Sequence, residues 1–204
     1  MKKFLFTISM VLCAILMNAQ DNAMLQAIEE ANASLPNIVA QFTQTKHLVA
    51  NNKQIVSNGD IYIADNDKMA MYYNEPATDL LIINAEQFYM KQGKKDKVYN
   101  TAKNKPMASL SNTLLSCVRG KVQALAEANN ANITTNKTDM GYEVTLLSRE
   151  QKAKGYAKIV LIYDSKTKLL TSMQMDEFNG ISTTYELSDI KTGIEIDSLR
   201  FKIK

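Results

Sequence analysis

The sequence predicts an α+β fold that is mainly β, a long antiparallel sheet with helices on one face. Three observations point to it. From Gln54 onward, short runs rich in β-forming residues alternate with turn residues at regular intervals. One apolar stripe at helical spacing, Leu110, Leu114, Leu115, Val118, Val122 and Leu125, interrupts the series. Another helical pattern precedes the first strand. A helix, many strands, one helix or helix pair, then more strands fit a layer of sheet covered by a layer of helix.

The chain opens with Lys2 and Lys3, an almost unbroken apolar run over residues 4–17, and Asn18-Ala19-Gln20. Basic end, apolar middle and small residue at the cut are the order of a secretory signal peptide. The run is shorter than the roughly 20 residues of a membrane span. Cleavage is expected after Ala19, with residues 20–204 as a single domain working in the periplasm. Cys13 lies within the apolar run, so the mature chain keeps Cys117 alone and forms no internal disulfide. Two of the 24 basic residues leave with the leader, and 22 then face 21 acidic ones. That balance argues against nucleic acid, which selects a basic face.

Residues 22–33 read as a helix, because Met24, Leu25, Ile28 and Ala31 share a face and Glu29 and Glu30 point away. Pro36 marks a break, and Ile38, Val39 and Phe42 are expected to continue the helix briefly toward the first strand. Ile61-Tyr62-Ile63, Met69-Ala70-Met71-Tyr72-Tyr73, Leu80-Leu81-Ile82-Ile83 and Phe88-Tyr89-Met90 then read as strands. Asn58-Gly59, Asp65-Asn66-Asp67, Asn74-Glu75-Pro76 and Asn84-Ala85 punctuate them. The apolar stripe predicts helix over 110–128, closed by Asn129-Asn130. Strands resume at 133–138, 142–148, 159–164, 169–177 and 181–190, with turns at Asp139-Met140-Gly141 and Asn179-Gly180. Asn-Gly between alternating runs signals a tight hairpin, since both residues tolerate positive φ. Leu199, Phe201 and Ile203 alternate as one face of a last strand.

The residues of common enzymes are missing. His47 is the single histidine and follows Lys46; with no Gly-x-Ser-x-Gly elbow, it is expected on the surface and not in a triad. Cys117 sits in the apolar stripe, where a thiol acts as a small hydrophobe. Asp65-Asn66-Asp67 lacks the glycine and later glutamate of a calcium loop and is expected as a turn. Lys91, Lys94, Lys95 and Lys97 around Gly93 suit a solvated hairpin tip. No catalytic residue, metal ligand or cofactor site is therefore predicted. What remains is apolar surface, including Met24, Met69, Met71, Met90, Met107, Met140, Met173 and Met175. Methionine adapts to irregular shapes and suits flexible apolar cargo.

The order of elements resembles the LolA family of periplasmic lipoprotein carriers, and several stretches carry the resemblance. Residues 35–44, with Phe42 and Gln44 at an F-x-Q, look like that family's opening segment. Gly59-Asp60-Ile61-Tyr62-Ile63 looks like its next strand, residues 69–76 like the strand that ends in proline, and residues 80–90 like the following hairpin. Asp176-Glu177-Phe178-Asn179-Gly180 resembles the late D-x-x-G turn, and Phe201 the terminal strand. The resemblance implies an unclosed antiparallel β-barrel under an α-helical lid. Its hollow would take acyl chains of lipoproteins from an inner-membrane ABC transporter and carry them to the outer membrane, where the acceptor is unknown. The family usually has Arg-Pro after the Gly-containing strand, and that arginine helps hold the lid shut. Here Ala64-Asp65-Asn66 stands instead, and an acid or amide cannot supply the same donor fork. The family's tryptophans are missing too.

Physical chemistry supports carriage of this kind. Each hidden acyl CH₂ contributes ~0.8 kcal/mol, against about 1 kcal/mol net for a hydrogen bond, so apolar contact must dominate. Ile61, Ile63, Met71, Tyr73, Ile82, Phe88, Met90, Leu161, Met173 and Met175 are the expected lining of the hollow. A register error of one would move a strand's whole set to the other face. The helices supply the lid, with Leu114, Val118, Val122 and Leu125 facing a hollow that the curved sheet keeps open. The expected form is a non-enzymatic monomer. Two further readings fit the same pattern: a lipid- or lipoprotein-sensing regulatory module of the envelope, and a carrier of another lipid such as a glycolipid.

Overall fold

The computed structural model describes residues 22–33, 35–65, 67–150 and 155–203; the expected leader, 1–19, lies outside them. Helix α1 occupies residues 22–33 and buries Leu25, Ile28 and Asn32. Its face follows the predicted spacing. Six strands then form a meander: β1 (Asn37–Leu48), β2 (Lys53–Ala64), β3 (Lys68–Glu75), β4 (Leu80–Asn84), β5 (Gln87–Gln92) and β6 (Lys95–Asn100). Helices α2 (Lys105–Val118) and α3 (Val122–Ala128) follow. The remaining strands are β7 (Ala131–Thr138), β8 (Gly141–Ser148), β9 (Tyr156–Tyr163), β10 (Leu170–Glu177) and β11 (Ile181–Thr192).

Among the described residues the 11 strands form one antiparallel sheet in the order β6-β5-β4-β3-β2-β1-β11-β10-β9-β8-β7. The two meanders join where β1 pairs with β11, and β6 and β7 remain as edges, so the barrel is not closed. Alternation then divides the sheet. One face gathers Ile38, Phe42, Ile61, Ile63, Met69, Met71, Ile83, Phe88, Val144, Leu161, Met173 and others with α1, α2 and α3 into the main core. The other face holds a smaller cluster of Ala64, Ala70, Ile82, Tyr89 and Phe201.

Four expectations are corrected. Residues 38–42 continue no helix: Ile38, Ala40 and Phe42 are buried alternately, the period of strand β1. The helical stretch expected from 110 starts earlier, at Lys105, and is the helix pair that the pattern allowed. Asn104 caps α2, its side chain accepting from Met107 N, and Pro106 fits the first turn. At the other end Gly120 takes φ +67°, while Lys121 N donates to Ser116 O and Gly120 N to Cys117 O. A Cβ on Gly120 would lie 2.9 Å from the Ile28 carbonyl oxygen, so this break in the helix also requires glycine for space. Strand β6 was not expected, since Lys95, Asp96 and Lys97 hide its pattern. The last strand is instead a 3-10 turn, Ser198–Phe201, strapped across the outer face. Tyr72 Oη donates to Arg200 O, Asn84 Nδ2 to Phe201 O, and the Arg200 guanidinium lies over the rings of Tyr62 and Tyr72.

Candidate functional site

The concave face of the sheet and α2 enclose an apolar cavity. Its walls are Ile61 of β2, Met69 and Met71 of β3, Leu170 and Met173 of β10, Tyr185 and Leu187 of β11, and Leu114 and Val118 of α2. Strands from both meanders thus meet across one space under the helix. Its volume is only about 10 Å³, room for about one water molecule. The open hollow expected from sequence is therefore closed in this structure. The helix that was to cover it fills it, because Leu114 and Val118 reach inward between the methionines.

The predicted lining is placed as follows. Ile61, Met71 and Met173 border the cavity, and Ile63, Phe88, Leu161 and Met175 belong to the same core around it. Tyr73 and Met90 are half-buried on the same face. Ile82 is not: it packs with Ala70, Tyr89 and Phe201 on the outer face. Its strand is apolar on both faces because the C-terminal strap covers the second one, so alternation gave no parity to read. All four predicted lid residues are buried, but only Leu114 and Val118 border the cavity. Val122 and Leu125 lie on α3, which packs on β7.

One end of the lid is pinned by polar groups that the sequence reading missed. Arg119 caps α2 and is almost fully buried. Its guanidinium donates to the carbonyls of Leu35, 2.5 Å away, of Pro36 and of Asp65. It thereby ties α2 to the start of β1 and to the β2–β3 turn. The donor fork in this contact thus comes from the lid and the acceptors from the sheet side. Burial lowers the Arg119 pKa and the nearby Asp65 charge raises it. A guanidinium keeps its charge under such shifts. Tyr163 Oη donates to the Cys117 carbonyl at 2.6 Å, and Asn32 Nδ2 donates to both Ile28 O and Lys168 O. The signal for Arg119 was its position, a cation directly between the apolar stripe and a glycine. Burial alone pushes the Cys117 thiol up, as befits a small hydrophobe. His47 lies toward the β1–β2 turn, with Nε2 3.1 Å from Asn52 Oδ1.

The opposite edge of the cavity is polar. Gln44 Nε2 donates to Tyr185 Oη at 2.9 Å, and Tyr73 Oη donates to Gln44 Oε1 at 3.0 Å. The Phe42 ring meets Tyr73 edge-on, with ring centroids 5.0 Å apart. Burial, with Asp79 nearby, pushes the Tyr73 pKa up to about 12, and burial raises Tyr156 and Tyr185 further. These phenols stay neutral at ordinary pH and act as hydrogen-bonding groups. The arrangement can hold an apolar body in the cavity with a polar group at its edge, provided that α2 moves.

Comparison with known proteins gives the same picture of the fold. The family model described as outer membrane lipoprotein carrier protein LolA matches residues 33–204. Among curated proteins no sequence matches significantly. Of solved structures, the complex of MucA and MucB from Pseudomonas aeruginosa superposes with a TM-score of 0.52 at 12% identity, covering 89% of this chain and 60% of that one. A protein of a family of unknown function from Desulfovibrio piger gives 0.50 at 8% identity, covering 88% and 95%. A putative outer membrane lipoprotein-sorting protein domain from Vibrio parahaemolyticus gives 0.49 at 12% identity, covering 90% and 96%.

Proposed function

The chain belongs to the LolA family of outer membrane lipoprotein carrier proteins, and from that membership we propose that it carries acylated cargo through the cell envelope without catalysis. The observation that carries this reading is the apolar cavity between the open sheet and α2, walled by Ile61, Met69, Met71, Met173, Leu114 and Val118. Acyl chains would enter as the unpinned N-terminal part of α2 lifts and the cavity widens. Export by the leader and a route from an inner-membrane transporter to the outer membrane complete the proposal. The absence of catalysis is part of the proposal: His47 lies toward the β1–β2 turn, hydrogen-bonded to Asn52, and the Cys117 thiol is buried in the core.

The test is competition. A triacylated lipopeptide should displace the dye ANS from the purified monomer in a saturable way, while the deacylated peptide should not. Lipoproteins or other acylated lipids should also co-purify under gentle conditions and be identified by mass spectrometry. Dye that stays bound at saturating lipopeptide would sink the carrier reading.

A further inference from the structure

Beyond the cavity the concave face changes character along β1, β2 and β11. Moving outward from Ile61 and Phe42, the next inward-facing residues are Gln44, Ser57 and Tyr185, which pair across the three strands. One step further the inward row is Lys46, paired with Ile55 on one side and Thr183 on the other. The register is continuous from Gln41 to Leu48, so alternation keeps Lys46 on the face of Gln44. Lys46 is half-buried, and Ile55 beside it is 41% exposed, which marks this row as the rim. Among the described residues the ion pair found is Lys68–Asp65, and Lys46 has no carboxylate within 4.0 Å. Tyr185 accepts from Gln44, and its own proton has no acceptor among the described residues.

A half-buried, unpaired cation beside an unused phenolic donor, at the rim of an apolar space, suits an anion attached to hydrocarbon. We infer that Lys46, Gln44, Tyr185 and Thr183 form a headgroup site that takes a carboxylate or phosphate on an acyl chain whose tail occupies the cavity below. The anion would sit on the Lys46 ammonium, and Tyr185 would donate to an ester or acid oxygen nearer the tail. The inference rests on the carrier reading and narrows it, because a neutral amphiphile with the same tail leaves the ammonium unpaired.

Two amphiphiles with one acyl chain test it, a lysophosphatidic acid and the matching monoacylglycerol. Each competes below its micelle concentration against a neutral apolar dye bound to the full mature chain. The expected result is about tenfold tighter binding of the phosphate form, weakened by salt. Lys46→Gln should bind the two amphiphiles alike, Lys46→Arg should keep the preference, and inorganic phosphate should displace no dye. Equal affinities in the unaltered protein, or a preference that survives Lys46→Gln, overturn the headgroup site while leaving the carrier intact. Displacement by neither amphiphile overturns both.

Discussion

Arg119 shows how much one side chain can decide. Its Nη1 and Nη2 donate to three main-chain carbonyls from two separate loops, with Asp65 as the nearby charge. Removing it takes the donors from those carbonyls and breaks the tie between α2 and the two loops. Arg119→Met is expected to lower stability in urea by about 3 kcal/mol, and Arg119→Lys by less, since an ammonium keeps the charge but cannot fork. Equal losses in the two variants would mean that charge, and not fork geometry, does the pinning. The buried phenols decide another property. Tyr73, Tyr156, Tyr163 and Tyr185 all have raised pKa values, chiefly through burial. The folded state then holds these protons more tightly than the unfolded chain. Their contribution to stability is full below the unfolded value near 10 and is lost as pH rises through the folded value, about 12 for Tyr73. Stability should therefore fall steeply above about pH 10, with the buried tyrosines ionising only as the fold is lost. Tyrosinate absorbance reads this cleanly because the chain has no tryptophan. Independent ionisation of every tyrosine near the ordinary value, with the fold intact, would contradict it.

At the scale of elements, what could be read from sequence depended on how many faces each element buries. Strands β8, β10 and β11 bury one face and were legible, as was the inward stripe of α2. Strand β4 buries both, so Ile82 was assigned to the wrong side. Strand β6 is an edge in which only Tyr99 is half-buried, and it gave no pattern. The 3-10 strap is held by Tyr72, Asn84 and the stacked Arg200, long-range partners that a local reading cannot supply. Helix α2 carries a further mark of use. Its C-terminal turns bury Leu114, Cys117 and Val118 completely, while Met107 and Leu110 are only half-buried. Ser111 and Thr113 are buried, and among the described residues their hydroxyls have no partner. An unsatisfied buried hydroxyl costs about 1–3 kcal/mol, and water returns that energy when the helix lifts. On the carrier reading, these two hydroxyls weaken the closed lid in the segment proposed to lift. Thr113→Val keeps the shape and removes the hydroxyl. It should raise stability by about 1 kcal/mol and weaken acyl binding about fivefold, because the closed state gains and the open state does not. Unfolding in urea and dye displacement measure the two sides. A gain in stability with binding unchanged would place lid motion outside the binding step.

For the whole molecule the same balance sets whether cargo can be both held and released. A chain of about sixteen carbons gains on the order of 10 kcal/mol on leaving water. With about 10 Å³ free, a chain bound there has to displace protein, and the proposal assigns that displacement to the inner face of α2. Uncovering Leu114 together with the half-buried Met107 and Leu110 costs about 1.5–3 kcal/mol for the fully buried leucine and less for each of the others. Gain and cost are of the same order, and on the carrier reading their difference sets the affinity for cargo. A cavity left permanently open would hold cargo too tightly to release, and a lid much better packed would admit none. The methionines suit this role, since Met69, Met71 and Met173 can repack against either helix or hydrocarbon. Arg119 and Tyr163 tie the lid to the sheet at one end. Leu114→Ala tests the balance directly. It removes the residue that plugs the cavity, so thermal and urea stability should drop by about 3 kcal/mol. Acyl affinity should rise about tenfold, as less contact has to be broken before the tail enters. If stability drops as expected and affinity does not rise, the cavity is ordinary core, and the acyl chain must bind elsewhere on the sheet.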